Sequence, residues 1–190
     1  MARIAARHVH LKDGRSVLIR TTEESDAAAL LGLVALLGKE PKFTTFESDE
    51  FDPVVERQVE KIAKHLAAPG SLMLVAEHAG RLVGELDFHA PERRRLRHRG
   101  ELGISIAQDW RGCGVGRALI TELITWAEAH PVIEKLCLRV FAINDRAIAL
   151  YRSLGFVEEG RRLREIRLAA GQYSDDILMA RFVKTTPDCH

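Results

Sequence analysis

Short stretches of period-two hydrophobicity alternate along the chain with longer ones of helical spacing. Ser16 to Arg20 reads as a strand, and Thr21-Thr22-Glu23-Glu24 then fits a capping box ahead of the apolar stretch Ala27 to Leu37, which Gly38 closes. From Lys39 to Asp52 no period holds, and Phe43, Phe46 and Phe51 are spread through the segment. Pro53 to Ala67 has helical spacing at Val55, Val59, Ile62 and Leu66, ended by Pro69-Gly70. Leu72 to Glu77 and Arg81 to His89 flank His78-Ala79-Gly80, a hairpin signature. Glu101 to Ala107 alternates around Leu102, Ile104 and Ile106. Arg117 to His130 is helical, Lys135 to Val140 a strand and Asp145 to Leu154 a helix; Phe156 to Leu168 and Tyr173 to Val183 form two last strands around Gly171.

The order β, α, α, three β, α, β, α, β, β predicts an α/β (α+β) mixed sheet flanked by about four helices, not the strict βαβ alternation of a doubly wound fold. No repeat, low-complexity tract or dividing linker appears, so residues 1–190 read as one domain with its core in about residues 16–183.

Composition narrows the function classes. Apolar residues make up 46% and charged residues 29%, with 28 Lys plus Arg against 27 Asp plus Glu, so a general nucleic-acid binder is not indicated. The longest apolar run, Ala27 to Gly38, falls short of the roughly 18 residues of a membrane span and begins too late for a signal peptide, which predicts a soluble, cytoplasmic protein without membrane partners. Cys113, Cys137 and Cys189 are odd in number and far apart, arguing against a disulfide framework and a zinc site.

The most informative stretch is Ile106 to Gly116, IAQDWRGCGVG, which joins a strand to a helix through glycines. Such a junction suits phosphate: the backbone can approach an anion closely, and the first-turn N–H groups aim the positive end of the helix dipole at it. Arg111 and Arg117 add positive charge at either end. A Walker loop is excluded because Ala118 stands where Lys is required, and a dinucleotide fingerprint fails because Arg117 stands where its third glycine would be.

Arg111-x-x-Gly114-x-Gly116 after a strand resembles the acyl-coenzyme A pyrophosphate motif of the GNAT superfamily of N-acetyltransferases. LRVFAINDRAIALYRSLGF, Leu138 to Phe156, resembles that family's second signature, and YSDDILMARFV its last strand. The resemblance implies a mostly antiparallel sheet splayed between the fourth and fifth predicted strands, with acetyl-CoA as co-substrate and no metal. It implies that Arg111, Gly112, Cys113, Gly114, Val115 and Gly116 hold the pyrophosphate, and that Ile104 and Ile106 pair with the pantetheine amides as an added strand does. Asn144 would bond the pantetheine arm or merely cap its helix, and Arg117 and Arg152 would reach the adenosine 3′-phosphate or be solvated.

Amide formation needs a deprotonated amine and a proton donor for the leaving thiolate. The resemblance gives Tyr151 the donor role, and the tetrahedral oxyanion would be held by a backbone N–H of the Ile104 strand. For the base we take Glu101, at the start of that strand, with Glu85, Asp87 and His89 next because they alternate onto one face. Arg139 occupies a place where members that acetylate protein N-termini commonly carry Glu. The run Arg93-Arg94-Arg95-Leu96-Arg97-His98-Arg99 is either a solvated loop or a contact for an anionic group. That loop, ending in His98 just before the pantetheine strand, together with the run Asn144-x-x-Ala147-Ile148-x-x-Tyr151 resembles a bacterial branch that acetylates free L-amino acids, and Arg139 with Arg93 to Arg99 suits an acceptor that carries its own carboxylate. The expected function is acetyl transfer from acetyl-CoA to a small-molecule amine by direct attack in a ternary complex. Acetylation of protein N-termini or lysines and a non-catalytic acyl-CoA sensor remain as alternatives, and a homodimer is compatible with all three.

Overall fold

The computed structural model describes residues 3–38, 43–45 and 49–184; Phe46 and Cys189 lie outside the described residues. The strands are β1 (Arg7–His10), β2 (Ser16–Thr21), β3 (Ser71–His78), β4 (Arg81–His89), β5 (Arg99–Ile106), β6 (Lys135–Phe141), β7 (Val157–Ala169) and β8 (Gln172–Phe182). The helices are α1 (Ala27–Gly38), α2 (Val55–Ala67), α3 (Val115–Ala129) and α4 (Asp145–Ser153). One eight-stranded sheet runs β1-β2-β3-β4-β5-β6-β8-β7, antiparallel except for β5 beside β6. No helix among the described residues is long and apolar enough to cross a membrane.

Three local expectations shift. β1, Arg-His-Val-His, adds a strand at the sheet edge; its residues are largely exposed, so no apolar alternation marks it. The capping box is formed by Glu23 and Asp26 rather than by the threonines. Thr21 is paired with Leu74 in the β2–β3 ladder and its hydroxyl accepts from the Ile4 N–H, so it is not available as a cap. The β3–β4 hairpin turns on Ala79 and Gly80 alone, both at positive φ (48° and 79°), the backbone that matches the twist of a two-residue hairpin.

The alternation along β4 sorts the molecule into two layers. A Cβ on Gly84 would meet Val115 and Leu119, and Phe88 packs edge-on to Trp126 at 5.8 Å, so Gly84, Leu86 and Phe88 face α3. Phe88 is fully buried, worth roughly 1.5–3 kcal/mol of apolar transfer. Glu85, Asp87 and His89 face the other way, where Asp87 lies 3.6 Å from Lys61 of α2 and the His89 ring 6.0 Å from that of His65. Polar groups on this second face are the raw material of the site.

Candidate active site

β5 and β6 run parallel through Arg99↔Lys135, Gly100↔Leu136 and Glu101↔Cys137, and there the ladder ends. Leu102–Ile106 continue along β4, and Leu138–Phe141 along β8, with no strand among the described residues between them. The divergence opens a cleft of about 1490 Å³ lined by Glu101 to Ser105, Val140, Asn144 and Tyr151, with Glu85 and Asp176 on its floor and Val34 and Leu37 of α1 in its wall. An extended ligand can supply the missing edge of β5.

At the far end of β5 the glycine loop leads into α3. Gly112 (φ 87°) and Gly114 (φ 119°) hold left-handed backbone that a side chain would strain, and Gly114 is the cap of α3 without side-chain help. The helix starts at Val115, two residues before the sequence expectation, and Ala118 is the first residue bonded back, to Gly114. The N–H groups of Val115, Gly116 and Arg117 precede that first helical bond, and no acidic residue stands in the first turn, an arrangement that favours a nearby anion. The loop is braced: Cys113 donates its S–H to the Trp110 carbonyl, Lys12 donates its N–H to the Cys113 carbonyl, and Arg15 stacks 3.7 Å from the Trp110 ring centre. Gly116 has a different reason to be glycine. A Cβ there would stand 3.3 Å from Leu150, so it lets α4 lie close to α3.

The cations sort by partner. Arg111 donates from Nε to the Ile106 carbonyl at 3.0 Å, tying the loop to the strand end. Arg117 reaches Ser153 of α4 at 2.6 Å, and Arg152 pairs with Glu158 at 3.9 Å. Arg146 stands beside the loop, its Nη2 only 3.1 Å from where a Gly112 Cβ would be. The sequence reading did not single it out, although its place next to the Asn144 cap is a usable signal. Asn144 Oδ1 accepts from the Ala147 N–H at 3.2 Å, so capping is one of its roles; its residue also lines the cleft.

Tyr151 is buried on α4 and lines the cleft, its phenol makes no hydrogen bond to another described residue, and burial pushes that phenol up to about 12. Glu101 is exposed and ion-paired to Arg139, Nε to Oε1 2.9 Å. Arg139 also lies 3.6 Å from buried Asp176, so the cation expected to favour carboxylate-bearing acceptors is already flanked by two carboxylates. Glu85 is set apart from the other acids. Burial, and then the charge of Asp87, push its carboxyl up to about 7, against the opposing pull of Lys61 and a hydrogen bond from Ser105, its cross-strand partner.

A family described as Acetyltransferase (GNAT) family matches residues 39–156, more than half of the chain. The chain belongs to that family. The L-amino acid N-acetyltransferase AaaT of Escherichia coli is 34% identical over 113 residues, which cover 60% of this chain and 69% of that one. A GNAT-family acetyltransferase from Streptococcus pneumoniae superposes with a TM-score of 0.84 at 30% identity, covering 88% of this chain and 99% of that chain. The structure of yncA from Salmonella typhimurium with its cofactor acetyl-CoA shares the fold at a TM-score of 0.78 and 20% identity over 92% and 99% of the two chains.

Proposed function

We propose that this acetyltransferase moves the acetyl group of acetyl-CoA to the amine of a small molecule such as an amino acid, by direct attack within a ternary complex. The observation that carries the reading is the end of the β5–β6 ladder at Glu101 and Cys137, which leaves an open strand edge leading to an unpaired helix N-terminus. The loop Arg111 to Gly116 takes the pyrophosphate, Arg146 and Arg117 its surrounding charge, and the Ile104 to Ile106 backbone the pantetheine amides. This brings the thioester to the middle of β5, between Tyr151 and Glu85.

Glu85 replaces Glu101 as the base of choice. Glu101 is exposed and engaged by Arg139, whereas a carboxyl near 7 is half ionised at neutral pH and accepts a proton from an ammonium without being locked in a pair. Glu85 takes the proton that frees the nitrogen lone pair. The N–C bond forms, the C–S bond breaks, and the sulfur takes the Tyr151 proton. The proton left on nitrogen returns to the phenolate. Thiol release measured with free amino acids, their methyl esters, polyamines and peptides tests the acceptor class. Turnover that is best with free amino acids supports it, and turnover confined to peptides or polyamines contradicts it.

A further inference from the structure

A second cavity, of about 1010 Å³, lies between α2 and the β4–β5 loop, and Lys61 belongs to the walls of both cavities. Arg57, Lys61 and Lys64 recur along one side of α2 at helical spacing, and Arg97, from the arginine run that the acetyl-transfer reading leaves without a task, closes the opposite wall; Glu60 and Glu92 are the acids present. Arg57 is paired with Asp52 and Lys61 with Asp87. Lys64 and Arg97 make no ion pair with any described residue. His65 also belongs to this wall; its Nδ1 meets the Lys61 carbonyl, and its buried Nε2 lies 4.0 Å from Asp87.

We propose that this cavity receives a carboxylate or phosphate group at the far end of the acceptor, with Lys64 and Arg97 as its counter-ions. The inference rests on the reading of Glu85 as the place where the amine reacts. Glu85 and His89, which lines the second cavity, are four residues apart on β4, or ~13 Å along a strand. The α-carboxylate of a simple amino acid is too close to its amine to reach. The cavity therefore selects acceptors with an anionic group distal to the amine.

The test uses glycine, tetraglycine and tetraglycinamide as acceptors, since four extended residues span at most ~14 Å. Wild type is compared with the Lys64→Ala, Arg97→Ala double variant, two exposed positions outside the acetyl-transfer machinery. Tetraglycine should exceed its amide at least ten-fold in kcat/KM. That ratio should fall to near one in the variant while glycine turnover is unchanged. In parallel, inorganic phosphate is titrated into protein saturated with coenzyme A, which occupies the loop at α3. Phosphate should compete with tetraglycine and not with glycine, and its binding should be lost in the variant. A tetraglycine preference that survives in the variant overturns the proposal. Phosphate binding that does not compete with tetraglycine overturns it too, and assigns the cavity to a free anion. If no amine is acetylated, glycine included, the acetyl-transfer reading itself fails, and phosphate calorimetry alone then reports on the cavity.

Discussion

Arg139 lies 2.9 Å from Glu101, the last residue of β5 paired with β6, and 3.6 Å from Asp176, so the three form a charge cluster in the cleft. Exposed pairs of this kind contribute ~0–1 kcal/mol, so Glu101→Gln should change kcat by a few-fold at most. Glu85→Gln should lower kcat by about 10²- to 10⁴-fold, the range for a general base. Steady-state kinetics on the two variants decides between the carboxylates. The larger loss in Glu101→Gln would restore Glu101 as the base.

The pH dependence follows from the same assignment. Glu85 must be ionised to accept a proton, so kcat should rise through a midpoint near 7, while the Tyr151 phenol, held near 12, stays protonated and produces no falling limb below pH 10. A kcat profile with a falling limb near pH 8 or 9 would disagree with Tyr151 as the donor.

Stability should show the opposite trend. The folded-state pKa of Glu85, about 7, is raised above its ordinary 4.5, so the folded chain binds this proton more tightly than the unfolded one. The site costs nothing below pH 4.5, its penalty grows between 4.5 and 7, and above 7 it reaches on the order of 3 kcal/mol. Glu85→Gln should therefore be more stable than wild type at pH 8 and equal to it at pH 4, as measured by denaturant unfolding.

Two glycines on β5 should respond differently to alanine. A Cβ at Gly100 would run into the Phe88 ring and come within 2.7 Å of the His89 carbonyl, so Gly100→Ala should lose about 1–3 kcal/mol of stability. At Gly103 the clash is with Asp87 Oδ1 at 2.6 Å, a side chain that can turn away. Gly103→Ala should stay folded and move the kcat midpoint downward, because the charge of Asp87 helps to raise Glu85. An unmoved midpoint would show that Asp87 does not act on Glu85.

Much of this was legible in the chain. The glycine loop before α3, the Asn144 to Phe156 signature and the alternation of Glu85, Asp87 and His89 depend on local spacing, which the structure preserves. Arg139 could not be judged locally, since its two partners come from β5 and from β8, which lies on its other side in the sheet. The choice between Glu85 and Glu101 depended on burial, which no spacing reports. β1 escaped notice because an exposed edge strand needs no apolar face, and Arg146 because its closeness to Gly112 arises only when α4 packs on α3.

We propose that an amine and acetyl-CoA react directly in the cleft between β5 and β6. It is tested most directly by measuring thiol release and N-acetylated product together, with coenzyme A affinity, in wild type and in Tyr151→Phe. Direct transfer should give one product per thiol, release that requires an amine, and a kcat lower by about 10²- to 10⁴-fold in the variant at nearly constant coenzyme A affinity. Amine-independent thiol release, or full activity in Tyr151→Phe, would contradict it.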